Sequence, residues 1–403
     1  MASTSTDDPL FSDYRMVTTY REIDEAARVS GSCPHHRPMA APFEADSILK
    51  LAGDQHKQRR RLESVLFKPE ALGRYERDIL RPTIDREMAR LEEQRGPDGV
   101  VRTDLVDFSK RLVVLVTGAI IGLDGLDRPD VTADLYEILN ATLEGIKVEW
   151  FTGDRAKVVR EGLAAMETYR ATYVAPAVAQ RRAILAASGR AALPTDLISL
   201  IVGLDGTDDA WGEDLLLREC VVYLVGAGAT TPTMVTHAVV DLAGWLEQHP
   251  ADRQLLDDDD FLGRVIEESI RLHPPTVGLL RDYPDGYDGR HITIEAGEAL
   301  FLDVKGANMD PSVFGERPEE FNPNRELPAG TPRYGMSFGG GRHLCLGLPI
   351  AIGSRGAATS GAALLMLRAL LAAGVRLDPE RLPRHGETME DRYAEVCVVF
   401  DDL

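Results

Sequence analysis

The chain has 403 residues, 44% hydrophobic and 27% charged, a balance that supports a large buried core. Its 65 acidic and 45 basic residues leave a formal net charge of −20, which argues against general binding to nucleic acid or to an anionic membrane. The four cysteines, Cys33, Cys220, Cys345 and Cys397, are scattered without a CxxC pair, so neither a disulfide framework nor a zinc site is indicated and a reducing cytoplasm suits them.

The first eight residues, Met1 to Asp8, are polar and acidic, with no apolar run for a signal peptide or a membrane anchor. A strand is predicted over Tyr14–Thr19 and a short amphipathic helix over Tyr20–Val29. Residues 30–50 read as loop because Pro34, Pro38 and Pro42 interrupt them. Within that loop, Cys33-Pro34-His35-His36 reads as exposed side chains, not as a metal site. Asp54 to Phe67 is predicted as a helix, with His56 and Arg60 four apart and so on one side. Between Lys50 and Arg74 there are seven Lys or Arg against three Asp or Glu. A basic patch on so acidic a chain suits an acidic partner.

Residues 76–185 read as mostly helical, with breaks near Gly96-Pro97 and Gly122 to Pro129. A long helix is predicted from about Asp214 to Leu246, carrying Ala227-Gly228-Ala229-Thr230-Thr231 and then Pro232, which removes a helical hydrogen bond and predicts a kink. The four acids Asp257 to Asp260 read as a solvated turn. Glu268 and Arg271 lie three apart within Val265–Pro274, on one helix face where they can pair. A strand-rich stretch runs from Arg281 to Phe301, and an irregular one from Asn308 to Arg325. No repeat or low-complexity segment occurs.

The most informative stretch is Phe338-Gly339-Gly340-Gly341-Arg342-His343-Leu344-Cys345-Leu346-Gly347. Three consecutive glycines allow backbone angles closed to other residues, so the segment can fold tightly against a flat ligand. An Ala/Leu-rich run after Cys345 is predicted as a helix, and a sulfur beside a helix N-terminus is favoured as thiolate. A thiolate held in this way is a good ligand for haem iron. The pattern F-x-x-G-x-x-x-C-x-G, filled by Phe338, Gly341, Cys345 and Gly347, resembles the haem-ligand loop of the cytochrome P450 superfamily. The bland alternative, a glycine loop with a buried structural cysteine, weakens because further matches recur along the chain in order.

The resemblance implies a mainly α fold with small β-sheets (α+β), a single P450 domain over residues 1–403 with a shortened N-terminus. It implies haem b, iron protoporphyrin IX, with Cys345 as axial ligand of the iron. His56, Arg60, Arg281 and His343 match the propionate-binding positions, and Ala227, Phe338, Arg342 and Gly347 are expected against the haem. In the family's A-G-x-(D/E)-T, Thr231 matches the threonine, but Thr230 stands where the acid belongs, so the proton relay has no assigned source. Glu268 and Arg271 match E-x-x-R, which is expected to lock to a later arginine, here Arg325. Leu139–Tyr173 corresponds to the family's helix pair over the substrate entrance, with Val148 to Gly153 as its expected turn.

Residues 31–50, 143–160, 223–231, 276–280 and 389–396 are expected around the substrate, with Phe43, Trp150, Phe151 and Tyr223 giving an apolar or mildly polar pocket. The function implied is a cytoplasmic, monomeric monooxygenase. It inserts one atom of O2 into a small or medium organic substrate, with neither nucleic acid nor membrane as partner. Electrons are expected from NAD(P)H through a ferredoxin reductase and a ferredoxin, docked on Lys57, Arg59 and the rest of the helix to Lys68 with Arg342. A peroxide-using or non-oxygenating enzyme is the alternative, suggested by Thr230 and Pro232. A haem carrier or sensor is disfavoured, since it needs no oxygen-activating helix motif.

Overall fold

Helical spacing of apolar residues dominates the chain, and strands occur only in short runs. The computed structural model describes residues 14–126, 128–151, 153–204, 211–354, 356, 358–386 and 390–401, and is mainly helical with small sheets. Among the described residues no helix is long and apolar enough to cross a membrane. Internal contacts divide the chain into two units, Met1–Ser32 with Glu76–Ser109 and Thr230–Leu403, and Cys33–Tyr75 with Lys110–Ala229.

In the first unit, strand Arg15–Val17 pairs in parallel with Glu298–Asp303, which pairs antiparallel with Gly278–Tyr283. The helix Tyr20–Arg28 buries Ile23, Ala26 and Ala27 in a core shared with Tyr283, Leu300, Leu302 and Met336. A second sheet joins Val101–Asp104, Cys397–Phe400 and Val375–Leu377, all antiparallel. The strand at Val101 lies inside the stretch read as mostly helical. It follows the turn that closes at Gly99, where φ is +78°, and its partner strand lies almost three hundred residues away in sequence.

The structure corrects the expectation of one helix after Cys345. Only Leu348–Ala351 is helical there, and the next helix is Ala362–Ala372. Between them Gly353 and Gly361 adopt φ of +87° and +80°, and Ser354 bridges Thr359. The two glycine backbones approach so closely that a Cβ on Gly361 would lie 2.2 Å from the Gly353 nitrogen. A macrodipole is built by summing aligned peptides, so a four-residue turn lends the Cys345 sulfur little of the support expected from a long helix.

In the second unit the helix Gly53–Glu63 runs into a 3-10 turn at Ser64–Phe67. The expected helix pair is Pro129–Ile146 and Arg155–Tyr169, joined through Val148–Trp150. Phe43 fills the space between these helices. A Cβ on Gly145 or Gly162 would meet its ring at 2.5 or 2.8 Å. Phe43 is therefore a core side chain, not a pocket wall. The long helix is continuous over Glu213–Gln248 through Pro232, with Thr236 Oγ1 donating to the Pro232 carbonyl at 2.9 Å. Its residues up to Ala229 belong to the second unit and those from Thr230 to the first.

Candidate active site

The cysteine loop is closed by one backbone bond, from Cys345 N–H to the Phe338 carbonyl at 2.9 Å. Gly339 and Gly341 hold φ of +70° and +60°, left-handed angles that glycine adopts without strain. At Gly341 glycine is required twice over, because a Cβ there would sit 2.4 Å from the Ala27 carbonyl oxygen. The Cys345 side chain is exposed, and Gly347 packs close enough that a Cβ would lie 3.8 Å from the sulfur. A lone, reachable, soft sulfur donor on a tight glycine loop fits the iron of a flat macrocycle. Arg342 is exposed and His343 half-buried on the same turn.

Behind the loop lies a buried ionic frame. Glu268 and Arg271 are both fully buried and paired in two parallel bonds of 2.7 and 2.9 Å. Arg325 Nε adds a third bond to Glu268 at 2.9 Å, and its other nitrogens donate to the carbonyls of Phe314, Arg317 and Glu320. Arg271 also donates to the Asn308 carbonyl at 2.7 Å. Asn308 returns a bond to the Arg271 carbonyl, donates to Ser337 Oγ and accepts from Met336 N–H. The ion pair thereby reaches the residues that enter the cysteine loop. Asn308, fully buried, is the hub of this link, and sequence reading passed over its role.

Thr231 is buried, while Thr230 and Ala227 are half-buried on the long helix. The four propionate-binding candidates are divided between the units, Arg281 and His343 in the first and His56 and Arg60 in the second. Arg281 stands half-buried on strand Gly278–Tyr283, its Nη1 donating to the Leu280 carbonyl at 3.0 Å. His56 is buried on the helix Gly53–Glu63 and Arg60 half-buried one turn on.

The family model described as Cytochrome P450 matches residues 247–354, the stretch from the end of the long helix to just beyond the cysteine loop. The biotin biosynthesis cytochrome P450 of Bacillus subtilis is 31% identical over 158 residues, 39% of this chain and 37% of that protein. Cytochrome P450 109 of Bacillus spizizenii is 26% identical over 311 residues, 77% of this chain and 69% of that one. Among solved structures, P450BioI in complex with an acyl carrier protein ligated to hexadec-9Z-enoic acid superposes with a TM-score of 0.73 at 21% identity, covering 96% of this chain and 92% of that one. Residues 247–354 therefore match the cytochrome P450 family, and the chain has the fold of the P450 structure on which it superposes. Proteins of this superfamily bind haem, and the chain has their fold. The match to the biotin biosynthesis P450 spans little more than a third of that relative's length.

Several side chains take roles that differ from the sequence expectation. Arg59, expected on the basic docking face, turns inward to Glu219 at 2.8 Å and stacks over Trp211 at 3.8 Å. Tyr223, expected to line the pocket, donates its hydroxyl to Glu63 at 2.8 Å. The acid run at 257–260 is not merely a solvated turn. Asp258 caps the helix Asp259–Leu272 by accepting from Asp260 and Phe261 N–H, which suits the positive end of the dipole. Phe151 is exposed and lines a cleft of about 490 Å³ with Asn140, Glu144, Asp154, Lys157 and Val158 along the helix pair. Trp150's side chain and Met389, both expected at the pocket, lie outside what the structure describes.

A second cluster was invisible in the sequence. His273 places Nδ1 2.8 Å from Asp391 Oδ2 and Nε2 3.5 Å from Asp241 Oδ1, and its ring stacks on His237 at 3.9 Å. Burial works against charge on His273, but bonds to Asp241 and Asp391 outweigh it and hold its pKa up at about 9. Burial, aided by that neighbouring charge, pushes His237 down to about 3. Donor atoms of His237, His273 and Asp391 lie within 4.8 Å of one another. The imidazoles are only 11° from parallel, however, so their in-plane lone pairs do not converge on one ion. The cluster is ionic in character.

Proposed function

We propose that the chain is a haem-thiolate monooxygenase, with residues 1–403 working as one P450 domain. The observation that carries this is the Cys345 loop, closed on Phe338 and tied through Asn308 to the Glu268–Arg271–Arg325 frame. Cys345 would ligate the iron of haem b, Phe338, Arg342, Gly347 and Ala227 would contact the macrocycle, and His56, Arg60, Arg281 and His343 would serve its propionates. When bound, the haem supplies the oxidising chemistry, thiolate donation favouring O–O cleavage. The chain's own residues bind, orient and move protons. Thr231 offers a hydroxyl on the oxygen side.

Overall, O2, two electrons, two protons and a substrate C–H become C–OH and water. The substrate class is an apolar or mildly polar organic molecule of small or medium size, entering near the helix pair, whose exposed Phe151 supports that reading. Electrons come from NAD(P)H through a ferredoxin reductase and a ferredoxin. We place the protein in the cytoplasm as a monomer, binding neither nucleic acid nor membrane. A peroxide-using or non-oxygenating chemistry is the second reading, favoured by Thr230 in place of an acid.

The test is the reduced carbon monoxide adduct of haem-loaded protein. It is expected to show the red-shifted Soret band of a thiolate trans to carbon monoxide, and Cys345→Ala is expected to abolish it. A band that survives the substitution removes Cys345 as ligand.

A further inference from the structure

Cleaving O2 to water and a hydroxylated product consumes two protons, yet position 230 holds a threonine where the family motif has an acid. The second unit contains a pair of acids with no part in the scheme above. Glu63 ends the helix Gly53–Glu63, Glu219 lies on the long helix, and both are fully buried. Glu219 is well compensated as a carboxylate. Arg59 Nη1 stands 2.8 Å from it, and Ile48 N–H donates to both its oxygens at 3.1 and 3.2 Å.

Glu63 is not compensated in this way. Its Oε2 accepts from the Tyr223 hydroxyl at 2.8 Å, while its Oε1 is buried and meets no donor. A buried acceptor without a donor is costly, and a second buried negative charge beside one guanidinium costs more. Both penalties vanish if Glu63 carries a proton and donates it toward Glu219. Two carboxyls in one site ordinarily share a proton for this reason. Burial first, then the charge of Glu219, drives Glu63 well above the usual carboxylate range, and burial raises Glu219 as well. The titratable and charged groups around Glu63 are Arg59 on its own helix and Glu219, Cys220 and Tyr223 on the long helix, with Tyr75 beyond Tyr223.

The long helix gives this proton a direction. Tyr223 precedes Thr230 by seven residues, about two turns, so the two positions share a helix face. A phenol hydroxyl both accepts and donates, and its hydrogen rotates to suit. We propose that Glu63, paired with Glu219 and bonded to Tyr223, is a proton-holding residue that supplies the acid missing at position 230. This rests on the monooxygenase reading. In the step, Glu63 presents its proton from Oε2 and that O–H bond breaks as the Tyr223 oxygen accepts it, while Tyr223 turns its own hydrogen away from Glu63 and gives it through water on the Thr230 face to the oxygen being reduced, where it ends in the product water. Glu63 is left as carboxylate beside Arg59 and is reprotonated from water. O2 is the species reduced, and the electrons come from the one-electron donor protein.

Infrared spectra of the purified, haem-loaded protein test the resting state without turnover. The carbonyl stretch of a protonated, buried carboxylic acid is expected at neutral pH, shifting in D2O and absent in Glu63→Gln. In turnover with a substrate identified by optical screening, Glu63→Gln is expected to lower product formation on the order of 10²-fold, the low end of what a positioned acid contributes. It is also expected to divert electrons to peroxide and to enlarge the solvent isotope effect, with Glu63→Asp restoring part of the product. The carbon monoxide band is expected unchanged in both variants, which reports an intact haem site. An infrared spectrum without that stretch, or equal coupling and isotope effect in Glu63→Gln, overturns the proton role. Loss of the thiolate band in the wild type overturns the monooxygenase reading instead.

Discussion

The cluster around Glu268 in the first unit and that around Glu63 and Glu219 in the second solve the problem of burying carboxylates in opposite ways. Around Glu268 there is one acid and two guanidinium groups, and a further N–H from Asn322 at 3.2 Å completes its acceptor sites. Around Glu63 and Glu219 there are two acids and one guanidinium, and one carboxyl oxygen meets no donor. The first cluster has cations enough to keep its carboxylate ionised and acts as a rigid brace behind the cysteine loop. The second is short of one positive charge, and a proton is the smallest thing that restores balance. A brace and a proton store are thus built from the same side-chain types, and the count of charges decides which is which.

Truncating the arginine of each cluster separates the two most sharply. Arg271→Leu leaves Glu268 buried with Arg325 alone and strips the bond to the Asn308 carbonyl. Breaking a buried pair in this way costs about 3–5 kcal/mol. A large fall in denaturation midpoint is expected, together with loss of the thiolate carbon monoxide band. Arg59→Leu is expected to cost less, because the acid pair can bind a second proton. Its penalty should grow from pH 5 to pH 8, since the unfolded acids are ionised across that range while the folded pair must hold protons. Equal penalties at both pH values, read by chemical denaturation, would mean that the pair takes up no further proton when Arg59 is removed.

The histidine cluster of the first unit adds a third balance, with opposed pH slopes. An ordinary histidine has a pKa near 6.5. His273 is raised to about 9, so the stability it contributes is fully present below about 6.5 and is lost as pH rises toward 9. His237 is depressed to about 3, so the folded state resists its protonation and loses stability as pH falls below about 6.5. Thermal midpoints are expected to peak near that pH and decline on both sides. His273→Gln should flatten the alkaline side, where Asp241, Asp391, Lys305 and His385 are the charged or titratable groups nearby. A wild-type midpoint that climbs from pH 7 to 9 would sink this assignment.

What could be read from the sequence was local. The cysteine loop is ten consecutive residues, and Glu268–Arg271 is one helical turn, so spacing alone placed each pair on one face. The long helix through Pro232 was also legible, and the resemblance placed a helix pair over Leu139–Tyr173 where Pro129–Ile146 and Arg155–Tyr169 stand. What escaped depends on contacts distant in sequence. Glu63 meets Glu219 from another helix, and on a helix as polar as Gly53–Glu63 nothing local marks one acid as buried. His273 and Asp391 likewise meet across 118 positions. The break after Ala351 escaped because the Ala/Leu composition suits a helix while paired glycines at 353 and 361 favour a tight crossing. Phe43 was misread because an aromatic in a loop looks free until the two glycines that receive it are seen in space.

The smallest effect concerns the basic helix, where the same contrast between balanced and exposed charge decides which residues touch a redox partner. Lys57 and Arg61 are exposed, whereas Arg59 has a side chain only 11% exposed and is committed to Glu219. Rim charges act mainly on association rate and on its salt dependence. Reversal of Lys57 and Arg61 to Glu is therefore expected to slow reduction by an acidic ferredoxin several-fold at low ionic strength. The difference should fade at high salt, where the Debye length falls to about 3 Å at 1 M, and thermal stability should be unchanged. Reversal of Arg59 is expected to behave differently, lowering stability at every salt concentration because it places a third acid beside two that are already buried. Stopped-flow reduction and thermal melts of the two variants decide the matter. If the Arg59 variant melts with the wild type and only its salt-dependent rate changes, Arg59 belongs to the docking face after all, and the acid pair has lost its one counter-ion.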